Sequence, residues 1–441
     1  MKNVIMISTD QQRIDAMSCM DPSYHTPNLD RLVERSVRFT GAISTSAQCS
    51  PSRASWMTGK FPHQVGVYQI GHTLDPKGWG IAKEFNKAGY ETAYFGKWHL
   101  GLSPADHDFA VTDYRLDGIE LGGANDDPRF HSNKDAISTT QALNYLDDYS
   151  GSKPFFLKLN WYMPHPDTPV DKPFELIERF AEQYPLEQMP VPNTFYSDDL
   201  SGKPPFQRER SSKGESELTE ELVRRDAQRY RSLVALMDTY LGRVLDKLEE
   251  KGMMEHTAIL FTSDHGDMQG AHRLRLKGVL PYKELYNVPM IVHVPWVQSK
   301  RKVIPDLVST AAVTGTLLDA AGIPLPEECE GGSLLPVMER SEPLAGEHVF
   351  FEHYKAYWGR HPMVGIQTSR YKYVYYLEDE LEEMYDLAND PDEVRNIAGQ
   401  PQVEEQRAEL RQRVVAWWEA TGGFSREPII DQESGWIKMG F

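Results

Sequence analysis

Val4-Ile5-Met6-Ile7-Ser8-Thr9-Asp10-Gln11-Gln12 opens on four consecutive apolar residues and then turns polar. An uninterrupted, largely β-branched run of this kind predicts a strand buried on both faces, with its polar residues starting where the strand should end. Two other runs repeat the pattern. Ala258-Ile259-Leu260-Phe261-Thr262 leads into Ser263-Asp264-His265-Gly266-Asp267, and Phe155-Phe156-Leu157-Lys158-Leu159 leads into Tyr162-Met163-Pro164-His165-Pro166. In open α/β sheets the ligand crevice lies beyond the carboxyl ends of the strands, so three tails far apart in sequence can converge there.

Helical periodicity supplies the other layer. Leu233, Leu236, Met237, Tyr240, Leu241, Val244, Leu245 and Leu248 recur at spacings of three and four. This predicts a helix over Arg229 to Lys251, closed by Gly252 and followed by the Ala258 strand. Thr26-Pro27-Asn28 reads as a helix start with Thr26 as N-cap and Pro27 at the first helical position. From about Val349 the character changes. Tyr371 to Tyr376 and Glu383 to Leu387 read as antiparallel strands and Val403 to Trp418 as an amphipathic terminal helix. The expected division is therefore a catalytic α/β domain over 1–345 and a smaller α+β subdomain over 346–441. Pro185 to Gly214 reads as a long loop or lid, and its Lys203 to Arg210 run with Lys213 as a solvated segment or an anion gate.

A chain of 441 residues with a formal net charge of −18 is large enough for a sizeable core. It has the wrong sign for spread-out binding to nucleic acid or to an anionic membrane. With 40% hydrophobic and 25% charged residues it reads as folded. Cys19, Cys49 and Cys329 are too few for a disulfide framework, and the apolar run after Met1-Lys2-Asn3 is too short for a signal-peptide core. Both features point to a cytoplasmic protein, or to a periplasmic one if a leader has been removed.

Cys49-Ser50-Pro51-Ser52-Arg53-Ala54-Ser55 is the most informative segment. Pro51 suits the first turn of a helix that begins just after the cysteine. That geometry places Cys49 at the positive, anion-binding helix end with Arg53 one turn along. Taken alone, the segment also fits a small buried cysteine in a turn before a helix. The spacing of Cys49, Pro51, Ser52 and Arg53 matches the C-x-P-S-R signature, and the chain resembles the sulfatases. Flanking blocks extend the resemblance: His25 to Leu32, Thr58 to His63, Gly96-Lys97-Trp98-His99-Leu100-Gly101, Pro164-His165-Pro166, Ser263 to Gly266, and Gly270-Ala271-His272 leading to Lys277. It runs from Asn3 to about Ala398. It implies an α/β, alkaline-phosphatase-like fold: a mixed central sheet flanked by helices, with a smaller C-terminal subdomain carrying a short antiparallel sheet.

The resemblance also implies a chemistry. In sulfatases the signature cysteine is oxidised to Cα-formylglycine, which requires a formylglycine-generating or anaerobic sulfatase-maturing enzyme as partner. One hydroxyl of the aldehyde hydrate attacks sulfur, and the other expels sulfate as the aldehyde re-forms. By the same resemblance Arg53 and Lys97 hold the formylglycine oxygens and His99 takes the proton from the spare hydroxyl. His165 and Lys277 bind the sulfate and aid departure of the substrate oxygen. Lys97 and His99, two apart, share a face if that segment is extended. Asp267, His272 and His63 are lesser candidates.

The expected metal ligands are Asp10, Gln11, Asp264, His265 and the converted Cys49 side chain. They would hold one divalent cation, with Ca²⁺ as first expectation and Mg²⁺ or Mn²⁺ as alternatives. Many sulfatases carry two adjacent acids at the first strand end and Asp-Asn at the second. Asp10-Gln11 and Asp264-His265 depart from that pattern and resemble the choline-sulfatase and phosphonate-monoester-hydrolase branch. The Lys97/His99 pair, which phosphonate monoester hydrolases generally lack, favours sulfate esters. The expected activity is hydrolysis of an alkyl, aryl or carbohydrate O-sulfate, with a sulfated sugar as first choice of substrate. Phosphonate monoester or phosphodiester hydrolysis is the rival. Tyr354, Tyr357 and Trp358, with His353, Arg360 and His361, read either as a ring-stacking surface or as a packing strip between domains.

Overall fold

All eight residues of β1 (Asn3–Asp10) are buried, as a strand covered on both faces must be. The computed structural model describes residues 2–121, 131–166, 178–213, 218–342, 348–356 and 359–423. The other strands of the main sheet are β2 (Val37–Ile43), β3 (Glu91–Gly96), β4 (Phe155–Pro164), β5 (Thr257–Ser263), β6 (Met290–His293) and β7 (Val303–Ser309). Their order is β3-β4-β1-β5-β6-β2-β7. β1 runs parallel to both neighbours, with Ile5 beside Leu157 of β4 and Ile259 of β5. β6 is antiparallel to β5 and β2, which makes the sheet mixed. The three polar tails therefore leave one edge of three adjacent strands.

Alternation along β1 divides the core. Ile5 and Ile7 pack toward the long helix Glu220–Glu250, while Val4 and Met6 face the layer holding the helix Cys49–Thr58. All eight apolar positions of the expected periodicity in the long helix are buried. The helix starts nine residues earlier than its periodicity indicated, because Thr219 Oγ1 caps the Leu222 amide and its first turns are polar. The helix Pro27–Arg35 also differs in its cap. Thr26 Oγ1 accepts from the Ser18 amide, and Asp238 of the long helix takes the Asn28 and Leu29 amides instead. Burial pushes that carboxyl up to about 6.

A second sheet comprises β8 (His348–Ala356), β9 (Gly359–Thr368), β10 (Tyr371–Tyr376) and β11 (Glu382–Asp386), antiparallel in the order β11-β10-β9-β8. One face packs Phe351, Val374 and Tyr376 on Ile43, Tyr282 and Tyr286 of the main body. The other receives Leu410, Val414 and Trp418 of the helix Glu404–Ala420. The expected boundary at 345/346 lies outside the described residues, as do Tyr357 and Trp358. Tyr354 is buried against Tyr68 and donated to by Trp418 Nε1, so it packs rather than offering a ring to solvent.

The segment after Pro185 is not a structureless loop. It holds the helices Thr194–Ser197 and Pro205–Lys213. Lys203 is buried, donating to Tyr385 Oη and the Glu393 carbonyl beside Asp198. A side chain so enclosed is neither solvated nor an anion gate. No helix among the described residues is long and apolar enough to cross a membrane.

Candidate active site

Cys49 is the first residue of the helix Cys49–Thr58, whose ten residues are all buried. The helix start directs its amide dipoles at the Cys49 side chain. Four side chains from other elements meet that sulfur. Lys277 Nζ lies 2.9 Å from Sγ, His265 Nε2 3.3 Å and Lys97 Nζ 3.8 Å, and the His99 imidazole is close enough for the sulfur to raise its pKa. Burial and the Asp10 charge push the thiol up, yet Lys277, Lys97 and His265 outweigh them and hold it well below the usual thiol range.

Arg53 sits one turn into the same helix and bridges the two strand-end carboxylates. Its Nε donates to Asp264 Oδ2 at 2.9 Å, its Nη2 to Asp10 Oδ2 at 3.2 Å and its Nη1 to the Lys97 carbonyl at 3.1 Å. Lys97 Nζ adds a second donor to Asp10 Oδ2. Burial works against ionisation of Asp10, but Lys97, Lys277, His165 and Arg53 keep it well below the usual carboxylate range. Asp264 goes the other way: burial, with Asp10 beside it, pushes it up to about 6.

That imbalance is what a cation would relieve. Asp10, Cys49, Asp264 and His265 each present one ligand atom, all within 4.8 Å of one another. His265 Nδ1 lies 2.8 Å from the Gly266 carbonyl, an acceptor only, so Nδ1 carries a proton and Nε2 is the nitrogen turned to the cluster. Burial and Lys277 work against a charged ring, but Asp264 and Cys49 raise its pKa, and a cation would take the place of the Nε2 proton. Two carboxylates and an imidazole on one side of the Cys49 side chain fit a divalent cation.

The segment carrying Lys97 and His99 is not extended. β3 ends at Gly96, whose φ of 96° and whose backbone approach to the Asn160 carbonyl, 1.9 Å from where a Cβ would stand, admit only glycine. His99 itself has φ 62°. The two side chains still converge on Cys49, because the left-handed turn swings His99 back and Ser50 Oγ ties its carbonyl at 2.6 Å. Burial and the Lys97 charge push the His99 pKa down, leaving a neutral imidazole that can accept a proton.

Residues 2–323 match the family model of the sulfatases, and residues 270–419 match that of the C-terminal region of N-sulphoglucosamine sulphohydrolase. The chain belongs to the sulfatase family. It is a sulfuric ester hydrolase with the fold expected of that family. An N-acetylglucosamine-6-O-sulfatase of Bacteroides thetaiotaomicron is 27% identical over 93% of this chain and 85% of its own length. A solved structure in complex with its substrate D-glucosamine-2-N,6-O-disulfate has a TM-score of 0.79 at 24% identity, covering 97% of this sulfatase and 99% of that chain. The phosphonate monoester hydrolase of Agrobacterium radiobacter has a TM-score of 0.77 at 22% identity, with 96% of each chain covered.

Other expected residues of the sulfatase fall into place differently. Gln11 commits its amide to partners other than Asp10 and Asp264: Oε1 accepts from Lys277 Nζ at 2.9 Å and Nε2 donates to Asp267. A neutral amide can do both at once, whereas an acid there would face Asp267. Asp267 thus holds Gln11, and through it Lys277. His63 and His272 are not at the site. His63 bridges Glu352 and Thr421, and His272 pairs with Asp198 and stacks on Tyr282. Sequence reasoning missed the supports of His165. Asp135 accepts the Tyr162 and Met163 amides, and the His131 ring lies 3.0 Å from the His165 carbonyl. Nothing local in the sequence marks them, since each acts across at least 27 residues.

Proposed function

We propose that Cys49 is the residue converted to Cα-formylglycine, and that Asp10, Asp264 and His265 hold a divalent cation beside it, Ca²⁺ first and Mg²⁺ or Mn²⁺ next. The substrate in this reading is a sulfated sugar. The observation that carries it is the gathering of Lys97, Lys277, His99 and His265 around one buried side chain at a helix start. The names of the relatives support the substrate class, since one is an N-acetylglucosamine-6-O-sulfatase and a neighbouring structure holds a disulfated glucosamine. We also treat 1–345 and 346–441 as separate structural units.

Conversion would supply a hydrated aldehyde with two hydroxyls, one to attack and one to release sulfate, and the cation would supply charge for the attacking oxygen. The chain's own residues do the rest. Arg53 and Lys97 fix the side chain at position 49, and His99, neutral at rest, accepts the proton of the releasing hydroxyl. His165 Nδ1 lies 2.7 Å from the Pro166 carbonyl and therefore carries its proton there. Burial and Lys277 hold its pKa well below the ordinary value. Lys277 Nζ is accordingly the proton donor facing the leaving oxygen, with His165 gaining a proton only when the sulfate anion enters.

Two measurements test this reading. In protein from a host with a maturation enzyme, the Cys49 peptide is expected about 18 Da lighter than its thiol form; an unchanged mass in the native host removes the formylglycine. On matched aryl substrates the sulfate ester is expected to be turned over with the higher kcat/KM. A phosphonate preference of several orders of magnitude would assign the site to the rival chemistry.

A further inference from the structure

In the unconverted chain the cation cluster has a fourth donor of a different kind. Cys49 Sγ stands 3.3 Å from His265 Nε2 and 3.7 Å from Asp10 Oδ1, and His265 Nε2 lies 3.7 Å from Asp264 Oδ1 and 4.0 Å from Asp10 Oδ1. A tetrahedral zinc site with Zn–S about 2.3 Å and Zn–N or Zn–O about 2.0 Å has donor-to-donor edges of about 3.3–3.6 Å. The two edges from the sulfur, 3.3 and 3.7 Å, lie within a few tenths of an ångström of such a site, and the two from His265 Nε2 to the carboxylates, 3.7 and 4.0 Å, would shorten by about 0.4–0.7 Å to close it. The remaining groups are arranged to match. Asp10 Oδ2 and Asp264 Oδ2 are committed to Arg53, so each carboxylate has its other oxygen toward the cluster. The Gly266 carbonyl holds His265 Nδ1, so Nε2 is the ring nitrogen turned to the cluster.

We infer that the unconverted chain carries a Zn²⁺ site made of Cys49, Asp10, Asp264 and His265, so that conversion of Cys49 changes the metal class of the pocket as well as its chemistry. Binding forms a metal–sulfur bond to the thiolate, any proton on Cys49 Sγ or His265 Nε2 leaving to solvent, with no change of oxidation state. A thiolate makes the donor set triply negative, where an aldehyde hydrate leaves it doubly negative. Arg53, Lys97 and Lys277 are present in both forms, so the cation meets one unit less net positive charge before conversion. Thiolate is also the soft ligand that selects Zn²⁺ over Ca²⁺ or Mg²⁺, while an oxygen in its place selects the hard cations. Lys277, 2.9 Å from Sγ, remains able to donate to a metal-bound sulfur, which has lone pairs to spare.

Co²⁺ is the probe, because Zn²⁺ is spectroscopically silent. Full-length chain from a host without maturation enzymes, its thiol confirmed by mass, is stripped of metal and titrated. A single equivalent of Co²⁺ is expected to give a near-ultraviolet sulfur-to-cobalt band and tetrahedral visible bands, both bleached by Zn²⁺. X-ray absorption of the zinc form should show one sulfur at about 2.3 Å. Zinc affinity should exceed that for Ca²⁺ by at least ~1,000-fold and fall at least ~100-fold in Cys49→Ser. If that variant does not fold, His265→Ala serves instead, keeping the sulfur band while losing at least ~10-fold in affinity. Zinc binding without the sulfur band, equal affinity in Cys49→Ser, or no stoichiometric binding would overturn the site. The contrast with the converted protein rests on the reading of Cys49 above, and the mass of the Cys49 peptide tests that reading independently of these titrations.

Discussion

Arg53→Leu is expected to abolish measurable turnover, with a loss of at least ~1,000-fold, and to destabilise the metal-free protein by about 3–5 kcal/mol. The reason lies in what the guanidinium holds apart. Asp10 and Asp264 are both fully buried, and Arg53 donates to one oxygen of each. Removing it strands two carboxylates in the interior. Asp10 retains Lys97, while Asp264 keeps the backbone amides of Gln11 and His265 and the His265 imidazole at 3.7 Å, but no guanidinium. Asp264 already titrates near 6 with Arg53 present, so without it the group should stay protonated at neutral pH and cease to be a ligand.

Arg53→Lys separates charge from geometry. A lysine restores one positive charge but cannot span two carboxylates and the Lys97 carbonyl with fixed planar donors. It should recover much of the stability and little of the turnover. Saturating divalent cation is expected to raise the melting temperature of the wild type more than that of Arg53→Leu. Urea and thermal denaturation with and without the cation, together with kcat on an aryl sulfate, measure all three effects. Arg53→Leu at wild-type turnover would remove the residue from the site.

How much of this was legible before the fold was known depends on where each signal sits. Val4 to Ile7 and Ala258 to Phe261 are apolar on both faces, as is Phe155 to Leu159 apart from Lys158, and that placed the three strands, although β4 runs on to Pro164 through part of the tail expected after it. The C-terminal strands at Tyr371 and Glu383 were equally plain. The long helix was found where its stripe is apolar but not where it begins, because the turns before Arg229 are mostly polar, held by a threonine cap, and bury only Val223, Asp226 and Ala227. Lys203 was misread for the opposite reason. Its sequence neighbours are polar, while the groups that bury it, Tyr282, Tyr385 and Glu393, arrive from elsewhere in the fold. At the site, Cys49, Arg53, Asp10 and Asp264 come from strand ends and one helix turn. The Asp267–Gln11–Lys277 chain joins residues up to 266 positions apart, and no local pattern encodes it. His63 and His272 show the converse: histidines inside family-like blocks that the fold uses as buried struts.

Lys158 carries the second large expectation, and it concerns stability rather than catalysis. It lies in the middle of β4 with both sequence neighbours buried, and its Nζ reaches only Met57 Sδ at 3.5 Å and the faces of Trp56 and Tyr94, 5.9 Å from each ring centre. Among the described residues no carboxylate pairs with it. Burial, with the Arg53 charge nearby, lowers its pKa from 10.5 to about 7. The unfolded chain keeps that proton up to about pH 10.5, so between about 7 and 10.5 the unfolded state binds more protons and stability rises with pH. At about 1.4 kcal/mol per unit, the full penalty of a charged Lys158, present at and below pH 7, is of order 5 kcal/mol. Lys158→Met keeps the length and apolar stem and removes the charge. It is expected to stabilise the protein by about 2–4 kcal/mol at pH 6.5, after allowance for lost contacts to the rings. That gain should shrink steadily toward pH 10. Urea unfolding across this range reads both the size and the slope. A methionine variant no more stable than wild type, or a gain independent of pH, would mean that Lys158 is not held in the core at the expense of its charge.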